Sequence, residues 1–246
     1  MILEILERFL VVIHVAAGIT ALIMAPIAMI VHKGGPAHRR WGNVYYGAML
    51  TIFLSALALL VFRPNFFLLI ISILSFYTAF TGKRVLRRKR PQRGEVAGWL
   101  DWTAAWIALV AGISFIGWGS LIVFGLLTAS MPTAFAGLGI FFGLAIAQAA
   151  YSDLRSFKQT PVDKNWWWYY HMNRILSSYL AAVTAFAVQN IGRYLPAEWQ
   201  WVVWAAPGLI GGYFIGRWIN HYRVKFNRRA QMVSSSAVAL RLETIE

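Results

Sequence analysis

Long stretches with little charge dominate the chain and predict helices that cross a membrane. No Asp, Glu, Lys or Arg occurs from position 9 to 31, and about 20 apolar helical residues cross a bilayer core. A cleaved signal peptide does not fit this stretch, because it is too long and because Glu4 and Glu7 stand where such a signal is basic. Apolar stretches with at most one charge predict four further crossings near 43–62, 66–81, 167–191 and 199–220.

The longest uncharged stretch predicts two more crossings. Asp101 and Asp153 bracket 51 residues without charge, which make roughly 77 Å of helix at 1.5 Å per residue. That length holds two crossings and a turn but not three. Pro132 suits the first turn of the second crossing. The segment 119–131 is longer than a tight turn needs, and it either extends the fourth helix or lies along or re-enters the membrane.

The positions of Lys and Arg predict the orientation. With seven spans, the 1–2, 3–4 and 5–6 loops and the C-terminus carry three, seven, three and six of these residues. The N-terminus and the remaining loops carry only Arg8, Arg63 and Arg193. Cytoplasmic loops collect positive charge. We therefore predict an all-α, polytopic membrane bundle of seven transmembrane helices, with the N-terminus outside and the C-terminus cytoplasmic. Residues 1–223 would form the membrane domain and 224–246 a basic cytoplasmic tail.

Composition agrees with an integral membrane protein. Only 13% of the 246 residues are charged and 59% are hydrophobic, whereas soluble proteins carry about 25% charged residues. The absence of cysteine excludes disulfides and thiolate metal sites. The net charge of +14 does not indicate a nucleic-acid partner, because no reading surface with aromatic residues is evident. The predicted partners are the lipid bilayer and, at the basic loop 83–93, anionic lipid headgroups, worth about 1 kcal/mol per charge.

Small residues repeat at three- and four-residue spacing along the predicted helices. Close contacts between membrane helices use such residues, so we expect these faces to point into the bundle. The predicted alternatives for an exposed face of this kind are contact with a second copy of the chain and contact with a partner in a larger membrane complex. The clearest stripes are Gly208, Gly212 and Gly216; Gly139, Gly143 and Ala147; Asp101, Ala105, Ala108 and Gly112; and His14, Gly18, Ala21, Ala25, Ala28 and His32.

Ionisable residues inside spans indicate function by default, because they are costly to place there. One interpretation is a pocket in which Arg39 or Arg174 meets an anion and histidines titrate near neutrality. A second is a metal site, for which the candidate ligands are His14, His32, His38, His171 and His221. No two of these histidines share ligand-pair spacing on one helix. A third is plain pairing of side chains that fixes the helix ends.

His14 is the deepest histidine of the predicted outer half. It can hydrogen-bond Gln189 or Asn190 of the sixth helix, or it can be an axial ligand of haem. Bis-histidine haem at that depth is disfavoured within one chain, because the outer half offers no second histidine.

Four short motifs are spread from the first to the sixth predicted helix. They are His14 with Gly18, the segment His-Arg-Arg-Trp-Gly-Asn-Val-Tyr at 38–45, Asp-Leu-Arg at 153–155, and His-Met-Asn-Arg at 171–174 followed by Thr-Ala-Phe at 184–186. With these motifs the chain resembles a family of bacterial polytopic membrane proteins known only as a domain of unknown function. The resemblance implies a multi-pass bundle of this size in the bacterial inner membrane and no particular activity. It directs attention to His14, His38, Arg39, Asp153, His171 and Arg174.

Three functional hypotheses follow. The preferred one is binding or transport of a small anionic or protonatable ligand in a polar cavity at the cytoplasmic side. His38, Arg39, Asp101, His171 and Arg174 would line that cavity, with His14 and Asp153 as further candidates. The rival is a membrane redox or metal enzyme that holds haem or zinc on buried histidines. The third is an accessory subunit of a larger membrane complex. No serine-nucleophile elbow, phosphate loop or dinucleotide fingerprint is present.

Overall fold

The computed structural model describes residues 2–128 and 133–243, and within these ranges all regular structure is helical. The predicted all-α class is therefore confirmed. The described part of the chain contains seven long helices, joined in places by single turns of 3₁₀-helix. They are α1 (Ile2–Ile30), α2 (Pro36–Leu59), α3 (Phe66–Arg84), α4 (Trp99–Val123), α5 (Thr133–Phe157), α6 (Trp166–Asn190) and α7 (Gln200–Glu243).

Six helices in the described ranges, α1 to α6, are long and apolar enough to cross a membrane. By length and composition these helices agree with the predicted multi-pass membrane class. α7 does not reach the same apolar content, because Trp, Tyr and Gly fill much of its first half and Arg217 follows. It also remains helical past position 223, without a break at the predicted start of the tail. The seventh crossing and the division at 223 stay predictions.

α7 runs antiparallel to α6. Gly211 lies against Leu180, since a Cβ added to Gly211 would be 2.6 Å from that side chain. Further on, the ring of Trp168 lies 4.7 Å from that of Tyr222 and 5.3 Å from that of Phe226. The chain thus returns to the end of the bundle at which α6 begins.

Local sequence explains where the helices begin and end. The side chain of Asn65 accepts a hydrogen bond from Leu68 N and caps α3. Pro36 occupies the first turn of α2, where no backbone N–H is needed. α4 extends to Val123, and Gly125 follows in the left-handed conformation with φ of 72°. The first part of segment 119–131 therefore extends the fourth helix. Residues 129–131 and Pro132 lie outside the described residues.

The closest helix contact joins α4 and α5 through small residues. A Cβ on Gly112 would be 2.7 Å from Ala147 N and 2.8 Å from Gly143 O. Ala105, Ala108 and Gly112 of α4 are buried, in agreement with the predicted stripe. On α1 the buried face consists of alanines (Ala17, Ala21, Ala25 and Ala28), and it packs against α2. Since lipid provides little force between apolar helices, this close approach of backbones holds the bundle together.

One end of the bundle collects the basic segments, and we call it the basic end. It is formed by the α1–α2, α3–α4 and α5–α6 connections and by α7 around Arg223. Lys83 Nζ donates to Asn43 Oδ1 at 2.8 Å, and Gln92 Nε2 donates to Pro161 O at 3.5 Å. These contacts place the connections side by side. At the opposite end, Arg63 of the α2–α3 connection pairs with Glu7 of α1.

Candidate functional site

A buried carboxylate near the end of α5 is the centre of the largest polar cluster. Asp153 is fully buried, and its Oδ1 lies 2.6 Å from Arg174 Nη2 of α6. Tyr77 Oη of α3 donates to Asp153 Oδ2 at 2.6 Å, and Tyr170 Oη donates to Oδ1 at 2.5 Å. Three helices therefore meet at one carboxylate, and three donors offset the cost of burying its charge.

Arg174 is fixed in place by more than its ion pair. Nη2 also donates to Ala149 O of α5 at 2.9 Å. The guanidinium carbon lies 5.0 Å from the centre of the Tyr170 ring, within the range of cation–π attraction. A guanidinium carries five N–H donors, and the two acceptors Asp153 and Ala149 are reached by Nη2 alone.

Arg174 also lines a cavity of about 400 Å³ between α3, α5, α6 and α7, which we call the central cavity. Its polar lining lies toward the basic end of the bundle, where α3 and α5 finish and α6 begins. Arg174 is eight residues into α6, or about 12 Å along its axis. The other polar lining residues are Thr78, Gln148, Ser152, Asn173, Ser177 and, deeper, Thr184.

Apart from Thr184, the far part of the central cavity is apolar. Its walls there are aromatic and aliphatic side chains and the backbone of Gly208. Thr184 lies about 27 Å along α6 from its start, so the cavity reaches past the middle of the helix. The apolar side chains that line the cavity as a whole are those of Ile71, Leu74, Phe141, Phe142, Ala145, Ala149, Leu180 and Ala181. The shape is that of a binding site for a molecule with a polar head and an apolar body.

A second buried ion pair has a different surrounding. Arg84 Nε and Nη2 donate to the two carboxylate oxygens of Asp101 at 2.9 and 2.7 Å. Asp101 Oδ2 also accepts from Gly98 N at 3.0 Å, which caps the start of α4. Neither residue lines the central cavity. This pair fastens the end of α3 to the start of α4.

Two histidines approach each other at the basic end. His38 Nδ1 donates to Ala28 O at 2.9 Å, and His171 Nδ1 donates to Gly82 O at 2.7 Å. Their ring centres are 6.4 Å apart, with the planes at 76°. Each Nδ1 is bound to a backbone carbonyl, so both Nε2 atoms are left as acceptors in the neutral rings. Metal-binding histidines commonly have this arrangement, although no group of three or more metal-ligand side chains occurs among the described residues.

The other predicted site residues lie apart from these clusters. His14 Nδ1 is 2.9 Å from Ser55 Oγ of α2, so its partner is neither Gln189 nor Asn190. Arg39, His32 and His221 are exposed. Of the seven predicted ligand-binding residues, Arg174 lines the central cavity, and Asp153 is the ion-pair partner of Arg174. His38 with His171, Asp101 with Arg84, and His14 with Ser55 form three further, separate pairs.

Several important residues were not singled out from the sequence. Tyr77 and Tyr170 belong to apolar, aromatic-rich stretches that predict a membrane span and give no sign of a carboxylate partner. Arg84 is one of seven Lys and Arg residues in the third predicted loop region, so its role as the partner of Asp101 is not distinguishable by composition.

No family model, no curated protein and no solved structure matches this chain.

Proposed function

We propose that the chain is a seven-span protein of the bacterial inner membrane, with the N-terminus outside and the C-terminus in the cytoplasm, and that it binds a small amphipathic anion. The ligand occupies the central cavity with its anionic group at Arg174. One observation carries this proposal: a cavity of about 400 Å³ is polar around a buried arginine and apolar beyond it.

The electrostatics of the Asp153 cluster favour an anion over a cation. Tyr77 and Tyr170 donate to Asp153 together with Arg174, so the carboxylate does not depend on the arginine alone. Arg174 keeps donors for a ligand oxygen, and guanidinium binds carboxylate and phosphate oxygens well. Asn173, Ser177 and Gln148 add neutral hydrogen-bonding groups beside it. His38, Arg39, Asp101 and His171, which the sequence predicts to line the same cavity as Arg174, are not among the lining residues of the central cavity.

Thermal unfolding of the purified protein in a neutral detergent tests the ligand class. We expect octanoate to raise the melting temperature, and octanol and octylamine, which share the same chain, not to do so. Arg174→Gln should remove the octanoate effect. Arg84→Gln is the matched control, because it breaks the other buried ion pair and leaves the cavity intact, so its octanoate effect should persist.

Two results would contradict the proposal. Octylamine stabilising the protein as well as octanoate would show that the charge preference is absent. Equal loss of the octanoate effect in Arg84→Gln and Arg174→Gln would show that the cavity is not the site. His171→Ala is a second control variant for the octanoate assay. This residue does not line the central cavity, so octanoate should still stabilise the variant.

The orientation is tested separately, and the absence of native cysteine makes the experiment simple. Single cysteines at Leu3 and Glu198 should react with a membrane-impermeant maleimide in intact cells. Cysteines at Gln92 and Arg228 should react only after the membrane is opened. Labelling of Leu3 and Arg228 from the same side would contradict seven spans.

A metal or haem protein is the second candidate, and the His38–His171 pair is the observation that favours it. Their Nδ1 atoms donate to the Ala28 and Gly82 carbonyls. A metal-binding histidine commonly donates its other ring N–H to a backbone carbonyl in the same way. Metal analysis and an absorption spectrum of purified protein test it. Stoichiometric zinc or a Soret band that His171→Ala removes would support this function, and colourless, metal-free protein would contradict it.

A further inference from the structure

A second cavity lies at the basic end of the bundle, between the start of α6 and the middle of α7. Its volume is about 300 Å³, and we call it the end cavity. Asp163, Trp166, Tyr169, Asn173 and Arg223 line it. Trp166 opens α6, so the cavity stands at the level where a spanning helix leaves the apolar core and headgroups begin.

Two buried donors on residues that line the end cavity make no close hydrogen bond among the described residues. Tyr169 is 94% buried, and its hydroxyl has no partner within 3.5 Å, so the nearby side chain of Asn165 is at most a weak partner. Nε1 of Trp166, which can only donate, also has no partner within that distance. Buried polar groups are satisfied in the great majority of cases, and an unsatisfied one costs about 1–3 kcal/mol. Two such donors in one cavity indicate that a group rich in acceptors belongs there.

Charged residues of both signs complete the lining. The guanidinium carbon of Arg223 lies 5.3 Å from the centre of the Tyr169 ring. Asp163 is held at the start of α6, because its Oδ1 accepts from Asn165 N at 2.7 Å. The three donors Trp166, Tyr169 and Arg223 suit a phosphate, and the carboxylate of Asp163 suits an ammonium group.

We propose that the end cavity binds the phosphoethanolamine headgroup of a membrane phospholipid. The phosphate accepts from Trp166 Nε1, Tyr169 Oη and Arg223, and the amine donates to Asp163. A general belt of aromatic residues at the headgroup level accounts for the position of Trp166 and Tyr169 but not for their missing partners. The site differs from the basic loop 83–93, for which the sequence predicts a diffuse attraction to any anionic lipid.

Short-chain lipids added to delipidated protein in neutral detergent test the proposal. We expect dihexanoyl phosphoethanolamine to raise the melting temperature at a lower concentration than dihexanoyl phosphoglycerol or dihexanoyl phosphocholine, and inorganic phosphate to have no effect. Phosphoglycerol lacks the amine, and the choline group has no N–H to donate. Equal effects of all three lipids, a preference for choline, or stabilisation by phosphate alone would overturn the assignment.

Tyr169→Phe separates a ligand-binding hydroxyl from a structural one. The hydroxyl makes no close hydrogen bond without ligand, so its removal should leave the melting temperature of the lipid-free protein unchanged or raise it. It should also raise the midpoint concentration of phosphoethanolamine lipid about tenfold. Asp163→Asn should abolish the preference for phosphoethanolamine over phosphoglycerol.

Trp167→Phe is the matched control, since Trp167 contacts Lys89 and does not line the end cavity. Its lipid midpoint should equal that of the parent protein. An unchanged midpoint in Tyr169→Phe, or a lower melting temperature of its lipid-free form, would overturn the role given to the hydroxyl. Octanoate stabilisation should persist in Tyr169→Phe, so failure here is distinguishable from failure at the central cavity.

Discussion

Two buried ion pairs among the described residues have the same chemistry and different surroundings. Arg84 and Asp101 join consecutive helices, and Arg84 keeps 17% of its side-chain surface exposed. Asp153 and Arg174 join α5 and α6 deeper in the bundle, with exposures of 0% and 9%. Of the two pairs, only the second lines either of the two cavities described above, through Arg174. A buried charge therefore indicates a binding site when a cavity adjoins it, and a structural contact when it only joins the ends of two helices.

Asp153→Asn should have the largest effect on stability. It leaves Arg174 charged and buried without its carboxylate, and breaking a buried pair in this way costs about 3–5 kcal/mol. Thermal or denaturant unfolding in detergent measures the loss. A cost below that of Asp101→Asn would show that the comparison of the two pairs is wrong.

Asp101→Asn should cost less, about 2 kcal/mol, the value of hydrogen bonds to a charged group. Arg84 is partly exposed and can turn toward water or lipid phosphates when its partner is lost. The new side chain keeps an oxygen that can accept from Gly98 N. The same unfolding assay measures this loss, and octanoate stabilisation should be retained.

Tyr170→Phe should cost about 1.5 kcal/mol, because it removes one of three donors to a charged carboxylate. Tyr45→Phe is its control within the bundle: Tyr45 Oη lies 2.6 Å from Ser178 Oγ, and this neutral bond is worth about 1 kcal/mol. A larger loss in the control would indicate that Asp153 does not need its tyrosines.

Ser177→Ala should have the smallest effect on stability, below about 0.5 kcal/mol. Ser177 lines the central cavity, and its one hydrogen bond within the described residues is a long one of 3.5 Å to Asn173. Its removal should nevertheless weaken octanoate binding, by a few-fold in the concentration midpoint. An unchanged midpoint would place the ligand head away from Ser177.

The sequence predicts the helices well and their partners poorly. The crossing predicted at 167–191 agrees closely with α6 (Trp166–Asn190). α1 instead begins at Ile2, before the uncharged stretch starts, because a helix needs hydrogen bonds and not apolar side chains to continue. Hydropathy therefore locates the membrane crossing and not the helix end.

Pairing between helices depends on rotation and offset, which a single sequence does not contain. Asp153 and Arg174 were both singled out by depth and polarity, yet nothing in their spacing of 21 residues predicts the contact. Ser55 as the partner of His14 is a similar case, because the two residues are 41 positions apart in the sequence. The small-residue stripes of α4 and α5 were informative because close packing requires them on both partners.

Asn173 lines both the central cavity and the end cavity, so the two cavities share one lining residue. If each cavity holds its own ligand, any movement of Asn173 that accommodates one ligand changes the space offered to the other. Thermodynamic linkage then makes the influence mutual: the factor by which a lipid alters affinity for the anion equals the factor by which the anion alters affinity for the lipid.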